Sequence, residues 1–133
     1  MSEETATQTP DESVAPDEST YVLLLHGPEA VWLTATPADY ERAMADHGAF
    51  TAACAEHGHR ILGGEELMPS TESRVIRRAE GAVAVSDGPF TELVEQLGGF
   101  YLIATRDLDD LATLVARLLQ DGEAAELRPV VAH

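Results

Sequence analysis

Apolar residues occur along this chain in short β-prone runs that are separated by longer segments with helical spacing. The continuous run at residues 21–26 predicts a central strand, which Gly27-Pro28 ends. Further strands are predicted at about residues 60–67, at residues 100–104 and at residues 126–131. The run at 100–104 is the most apolar, so we expect it to be the most buried strand.

An extra hairpin is predicted between the second and third of these strands. Residues 74–78 and 82–85 read as two short strands closed by Ala79-Glu80-Gly81. The tetrapeptide DGPF at residues 87–90 follows, and its glycine and proline indicate a rigid corner. Residues 91–97 are then expected to form a short helix or a turn.

Two helices have clear start and stop signals. Thr36 is a suitable N-cap with Pro37 at the first helical position, and Gly58 is a natural end. Asp107 caps the second helix and Gly122 ends it. The predicted inward stripe of the first helix consists of Tyr40, Ala43, Met44, His47, Phe50, Thr51 and Cys54. That of the second helix consists of Leu108, Leu111, Leu114, Val115, Leu118 and Leu119.

The order of elements is strand, helix, strand, hairpin, strand, helix, strand. Without the hairpin this is a ferredoxin-like α+β arrangement, βαββαβ, with both helices on one side of an antiparallel sheet. No third layer remains in the sequence to cover the other face. We therefore expect a symmetric homodimer in which two sheets pack face to face.

Length and composition indicate one folded domain in 133 residues. Residues 1–19 are acidic, polar and poor in apolar side chains, which predicts a disordered tail before a domain at residues 20–133. The chain has no apolar run of membrane-spanning length and no secretory signal at its start. These features predict a cytoplasmic protein without a membrane partner.

The charge balance argues against direct binding of nucleic acid. The chain has 24 acidic residues against 8 basic ones, for a net charge of -16. Such a field repels phosphates, and the one local basic group, Arg74, Arg77 and Arg78, is typical of a solvated hairpin face. Cys54 is the only cysteine, which excludes an intrachain disulfide and predicts a small buried side chain.

His47 and Asp87 are the candidate catalytic residues. His47 lies on the predicted inward stripe, where it is either a hydrogen-bonded core histidine or a general base facing a pocket. A carboxylate such as Asp87 or Glu65 would then set its tautomer. Asp87 in turn is either a turn residue bonded to its own backbone or the group that orients the histidine, and the two roles are compatible.

Other polar and aromatic residues are candidates for substrate binding. His26 ends the first strand, where a pocket residue and a surface histidine are both reasonable interpretations. Tyr101 either donates a hydrogen bond or completes the core, and Phe90 is expected to pack as an anchor. His57 and His59 flank the glycine at a helix end and are interpreted as structural. Apart from that pair, no metal-ligand spacing is present, and no loop for a phosphate cofactor, so neither metal nor cofactor is predicted.

Five segments of the chain form a recognisable set of motifs: YVLLL at 21–25, GGEELMP at 63–69, DGPFTE at 87–92, EQLGGFYLI at 95–103 and ELRPV at 126–130. Through these segments the chain resembles the YciI-like proteins, and among them the branch with a DGPF motif, known as the YCII-related domain. The resemblance implies a dimeric α/β-barrel of ferredoxin-like protomers. It also implies a histidine–aspartate pair of enzymatic character, and a link of the DGPF branch to sigma factors.

Two functions are consistent with these observations. The first is a cofactorless isomerase or lyase that acts on a small molecule through His47 and Asp87. His26, Glu65, Phe90 and Tyr101 would then bind the substrate. The alternative is a non-catalytic binding or regulatory module that associates with the sigma-factor-dependent transcription machinery. An enclosed pocket at His47 would favour the enzyme, and an exposed apolar patch would favour the module.

Overall fold

The computed structural model describes residues 15–133, so most of the predicted acidic tail lies outside the described residues. The order of elements follows the prediction, with one additional short helix. In chain order the elements are β1 (Ser19–Pro28), α1 (Glu29–Leu33), α2 (Pro37–Glu56), β2 (Arg60–Glu66), a single 3₁₀ turn (Ser70–Glu72), β3 (Arg74–Ala79), β4 (Ala82–Asp87), β5 (Glu95–Thr105), α3 (Leu108–Leu118) and β6 (Ala124–Pro129).

Four strands form one antiparallel sheet in the order β2-β5-β1-β6. The two strands β3 and β4 pair only with each other, as a separate hairpin. The result is a mixed α+β fold whose strand order is compatible with the ferredoxin-like arrangement. The long pairing of β5 with β1, from Ser19↔Thr105 to Pro28↔Glu95, makes these two strands the centre of the sheet.

The core lies between the sheet and helices α2 and α3. Apolar side chains from both helices pack against Leu23 of β1 and Ile103 of β5. Its buried members are Leu23, Phe50, Cys54, Ile103, Leu111, Leu114, Val115 and Leu118. Cys54 is fully buried, as predicted, and this burial, assisted by the Asp110 charge, raises the pKa of its thiol to about 11. The thiol is therefore a packing group.

The other face of the sheet is also apolar. Val22 and Leu24 alternate with the buried Leu23, so their side chains point away from the helices. They pair with Leu102 and Phe100 of β5, and all four side chains remain partly exposed. The sheet thus has two apolar faces, and the helices cover only one of them. The predicted dimer depends on this difference.

Helix α2 begins and ends as its sequence predicts. Thr36 Oγ1 accepts from the Asp39 N–H, and the Asp39 carboxylate accepts from the Thr36 N–H, which is a capping box. At the other end Gly58 takes a φ of +82°, and the His59 N–H donates to the Cys54 carbonyl at 2.8 Å. This is a Schellman turn, which leaves His57 and His59 on either side of the glycine.

The predicted inward stripe of α2 is correct for Phe50, Cys54 and the half-buried His47, but it is wrong for the exposed Ala43 and Thr51 as well as for Tyr40 and Met44. Phe50 and Cys54 are the buried residues of the helix, whereas Tyr40 and Met44 are 51% and 43% exposed. The reason is that the core cluster reaches α2 only from Phe50 onward.

Within the described part of the chain, no helix combines the length and apolar character needed to span a membrane.

The predicted hairpin is confirmed. Glu80 and Gly81 connect β3 to β4 with φ values of 52° and 81°, as a two-residue loop of the primed type requires. The helix or turn predicted for residues 91–97 is partly wrong, because β5 begins at Glu95. Gln96 closes the loop before it by donating from Nε2 to the carbonyls of Thr91 and Leu93.

Helix α1 was not predicted from the sequence. It places Trp32 over the β-bulge at Gly98, where a Cβ would come within 1.9 Å of the indole. A glycine is therefore required at position 98 by this close approach. The same ring lies 3.3 Å from where a Cβ on Gly27 would stand.

The residues just before β1 are fixed to the folded body by two ion pairs. Glu18 bonds Arg60 at 2.8 Å and has a side chain only 2% exposed, while Asp17 bonds Arg106 at 2.8 Å. The Arg60 hydrogen bond, with a second from the Ala15 N–H, holds the pKa of Glu18 below its usual value. These contacts place the last residues of the predicted tail against the domain.

Candidate functional site

A histidine–tyrosine pair lies between α2 and the sheet. His47 Nδ1 and Tyr101 Oη are 2.7 Å apart, and the two rings stack with centroids separated by 5.8 Å. Phe50 packs against the same tyrosine at 5.5 Å and continues the pair into the core. Among the described residues, no side chain or backbone group bonds His47 Nε2, so this nitrogen is available for a ligand.

The sheet register fixes the position of Tyr101. Tyr101 pairs with Gly64 of β2, and a Cβ on Gly64 would lie 2.5 Å from the Phe100 carbonyl oxygen and 2.9 Å from the Tyr101 ring. The φ of Gly64, +158°, is also one that other residues rarely adopt. Partial burial raises the pKa of Tyr101, so its hydroxyl stays protonated at neutral pH.

A second polar contact lies on the helix side of the sheet. Tyr40 of α2 donates to the Glu66 carboxylate at 3.3 Å. Tyr40 and His47 are seven residues apart and so share a face of the helix. Glu65, the acid predicted for the site, pairs with Phe100 on the opposite face of the sheet, and its neighbour Glu66 is the one beside α2.

His26 also lies on the opposite face from His47. It follows Leu25, which packs on the core, and it pairs with Leu97 of β5 and Ala124 of β6. His26 is therefore a neighbour of the partly exposed apolar face. The structure therefore places His26 and Glu65 on one side of the four-stranded sheet and Tyr101 on the other side, with His47.

Asp87 and Phe90 are at the end of the separate hairpin. Asp87 is the last residue of β4 and pairs with Arg74. Phe90 is 68% exposed, with the Arg77 guanidinium 4.8 Å from its ring centre, so it does not act as a buried anchor within the protomer. In the described residues, the hydrogen bonds of His47 go to Tyr101 and none joins His47 to Asp87.

A second histidine cluster lies beyond the C-terminal end of α2. Asp110 Oδ2 contacts His57 Nδ1 at 2.9 Å and His59 Nε2 at 2.7 Å, and His59 Nδ1 contacts Thr105 Oγ1 at 2.7 Å. The bond to His59, and then that to His57, lowers the pKa of Asp110. An open groove of about 1060 Å³ adjoins His59 and Arg60 and does not include His47.

Comparison with known proteins identifies the family of this chain. The profile of the YCII-related domain family matches residues 20–130. The chain belongs to the YCII-related domain family. It is also 33% identical over 117 residues to an uncharacterized protein of Rhizobium meliloti, a match that covers 85% of this chain and 93% of the relative. The resemblance to the YCII-related domain that was inferred from the sequence motifs is thus confirmed.

Some polar residues of this YCII-related domain were missed by sequence reasoning. The sequence analysis nominated Glu65 and not its neighbour Glu66, and the register of β2 against β5 decides between these two acids. Tyr40 was predicted to lie on the inward stripe of α2. Asp110 was not nominated, because nothing in the local sequence connects it to His57 and His59 about fifty residues earlier.

The two clusters offer different chemistry to a YCII-related domain. The His47–Tyr101 pair combines a histidine with a free nitrogen and a protonated phenol, which suits proton transfer at a small molecule. The cluster around Asp110 combines two imidazole nitrogens with a carboxylate, which are ligands of divalent transition metals.

Proposed function

We propose that this YCII-related domain is a cytoplasmic, homodimeric protein that performs cofactorless acid–base chemistry on a small molecule, as an isomerase or a lyase. The observation that carries the proposal is the His47 Nδ1 to Tyr101 Oη contact of 2.7 Å, together with an Nε2 that bonds no group among residues 15–133. Tyr101 holds the His47 ring in place through Nδ1, and Nε2, on the other side of the ring, is open to substrate. That is the geometry a general base needs.

The proposed reaction assigns one role to each member of the pair. With its proton on Nδ1, His47 donates to Tyr101 Oη, and Nε2 keeps a lone pair that takes a proton from a carbon next to a carbonyl. Tyr101 Oη accepts the hydrogen bond from Nδ1 and so fixes the tautomer and the orientation that direct the Nε2 lone pair at the substrate. The imidazolium then returns the proton to a neighbouring carbon in an isomerase, or to a departing group in a lyase.

Asp87 and the substrate-binding residues enter the proposal at defined positions. Because Nδ1 is bonded to Tyr101, a contact from Asp87 would have to reach His47 at Nε2, or act on the substrate itself. Tyr40 and Glu66 lie on the same side of the sheet as His47 and would bind polar groups of the substrate. His26, Glu65 and Phe90 would contribute only where a second protomer adds to the site.

The test uses proton exchange, which requires no knowledge of the natural substrate. A panel of carbonyl compounds with acidic α-hydrogens is incubated with the protein in D₂O, and the loss of the α-proton signal is followed by NMR. We expect exchange of at least one compound by the wild type. His47→Gln should slow it by about 10²–10⁴-fold, and Tyr101→Phe should slow it by a smaller factor.

Two controls make this test specific. His133→Gln changes an exposed terminal histidine and should leave exchange unchanged. Asp87→Asn separates the original His47–Asp87 hypothesis from the His47–Tyr101 one, because only the former expects a large loss. Equal exchange rates for wild type and His47→Gln would remove His47 as the base.

The homodimer rests on the second apolar face of the sheet. Val22, Leu24, Phe100 and Leu102 form a continuous apolar surface, and the packing of a second copy against it would bury both faces. Sedimentation at micromolar concentration should give twice the protomer mass of 14.3 kDa. Leu24→Glu should shift the protein to monomer, whereas a wild type that sediments only as monomer would contradict the dimer.

A second candidate function is a non-catalytic module of the transcription machinery. The observation in its favour is the exposed apolar surface of the hairpin and the following loop, where Ile76, Val85 and Phe90 are 69%, 61% and 68% exposed. Such a module should form a complex with a sigma factor of the same organism in sedimentation. Val85→Glu should abolish the complex without affecting proton exchange.

A further inference from the structure

The cluster at the end of α2 is built by backbone turns. The Schellman turn at Gly58 places His57 at the helix end and turns the chain so that His59 points inward, where it is 3% exposed. His57 stays at the surface, with 39% of its side chain exposed. The two rings, stacked at 6.2 Å, thus present their nitrogens from two depths toward the same point.

Helix α3 supplies the carboxylate because its cap is made in an unusual way. Asp110 is the third residue of the helix, where a side chain commonly bonds back to the N–H of the N-cap. Here the Asp107 N–H instead donates to Thr105 Oγ1 at 2.9 Å. The Asp110 carboxylate is therefore free of the capping role and lies against both imidazoles.

We propose that His57, His59 and Asp110 form a binding site for a divalent transition metal ion, with Zn²⁺ as the preferred ion. The three ligand atoms, one from each side chain, all lie within 4.8 Å of one another. Two imidazole nitrogens and one carboxylate oxygen form a common three-ligand zinc set, in which water occupies the fourth position.

The distances require some movement of the side chains. Zinc bonds of about 2.0–2.1 Å place tetrahedral ligands about 3.3 Å apart. The two nitrogen-to-oxygen distances are 2.9 and 2.7 Å, whereas the three ligand atoms as a set lie within 4.8 Å of one another, so the carboxylate would withdraw by a few tenths of an ångström and the two imidazole nitrogens would approach each other. In the metal-free protein each short contact is a hydrogen bond between an imidazole nitrogen and the carboxylate, and Zn²⁺ would take the place of the bridging hydrogen while each neutral imidazole carries its proton on the other nitrogen.

Thr105 provides the outer contact that metal-bound histidines usually have. With Zn²⁺ on Nε2, His59 carries its proton on Nδ1 and donates it to Thr105 Oγ1, which lies 2.7 Å away. This contact fixes the ring in the orientation that directs Nε2 at Asp110. The exposed edge of His57 leaves solvent access for a water ligand.

The surrounding charges favour a cation over an anion. His57 caps the C-terminal end of α2, where the helix dipole is negative. The first turn of α3 adds Asp109 beside Asp110, with the N-cap Asp107 before it. The N-terminal dipole of α3 opposes these charges in part, but the chain as a whole has a net charge of -16.

The test is a titration of the full chain with Co²⁺ and Zn²⁺. Co²⁺ in a four-coordinate site gives strong visible absorption, and we expect this signal to saturate at one ion per protomer and to be displaced by Zn²⁺. Zn²⁺ should also raise the unfolding temperature. Failure of the wild type to bind one ion at micromolar metal would overturn the proposal.

Matched variants separate this site from adventitious binding. His57→Ala and Asp110→Asn should each weaken Zn²⁺ binding by at least about tenfold, and Thr105→Ala by about tenfold through the orientation of His59. Asp109→Asn, which removes a neighbouring charge but no ligand, should weaken binding far less than Asp110→Asn, and His133→Ala should leave binding unchanged. Equal binding by Asp110→Asn and Asp109→Asn would overturn the proposal.

Discussion

His47 and His59 lie near the same helix and differ in almost every physical respect. His47 lies in the middle of α2, is partly exposed, and forms its hydrogen bond to Tyr101 through Nδ1. His59 follows the end of the helix, is 3% exposed, and bonds through both nitrogens, to Thr105 and Asp110. A shared residue type thus serves two sites of opposite character.

The difference shows which histidine can change partners during a reaction. A base must exchange protons with a substrate, which requires one nitrogen without a permanent partner. A buried histidine with two partners is held in a single orientation, and this suits it for stability or for a metal ion. Sequence reasoning ranked His47 above His59 because of its stripe position, and the bonding pattern now provides a physical reason for that order.

The largest expected effect comes from removing each ring in turn. His59→Ala should lower the free energy of unfolding by about 3 kcal/mol, because it leaves a cavity and removes the partners of Thr105 and Asp110. His47→Ala should cost about 1 kcal/mol, the value of one partly exposed hydrogen bond. Urea unfolding measures both, and equal losses would contradict the contrast between the two sites.

An intermediate effect is expected at Gly64 of β2, with the adjacent Gly63 as its control. Gly64→Ala should destabilise the protein by about 2 kcal/mol, because the new Cβ would meet the Phe100 carbonyl at 2.5 Å in a strained backbone conformation. It should also displace Tyr101 and slow proton exchange. Gly63→Ala, which meets no atom within 4 Å, is the control and should be nearly neutral. Zn²⁺ binding by either variant should match the wild type.

The smallest effect is a pH dependence of stability that arises at Asp110. Because its folded pKa is lowered, its contribution is fully present above the unfolded value of about 3.9 and is lost as the pH falls through the lower folded value. The stability advantage of wild type over Asp110→Asn should therefore shrink below about pH 4. Urea midpoints from pH 6 downward measure it, with Asp109→Asn as control, and a gap that does not change with pH would contradict the assignment.

Local signals in the sequence were sufficient for elements that are stabilised locally. The Thr36 cap, the Gly58 end of α2 and the Glu80-Gly81 turn each depend on a few consecutive residues, and all three were predicted correctly. The start of β5 at Glu95 was not predicted, because the first residue of a strand is set by its pairing with a neighbouring strand, here with Pro28 of β1. Helix α1 was missed because its five residues carry no cap and bury no side chain.

The candidate site was predictable only in part, for the same reason. His47 and Tyr101 were both nominated, but their contact depends on where α2 crosses β5, which no local pattern specifies. The choice of Glu66 over Glu65 beside α2 depends on a register shift in β2 near Ile61. The His59–Asp110 contact joins two segments that meet only in the folded core.

Trp32 provides a built-in optical probe, because it is the single tryptophan of the chain and rests on Gly98. All indole emission therefore originates at one end of the β1–β5 pair, next to His26. A change in Trp32 emission as the protein concentration is raised would report association at that end of the sheet. Binding of a ligand to His47 or to Asp110 should leave the Trp32 emission nearly unchanged, so the fluorescence can distinguish association of protomers from ligand binding in a single sample.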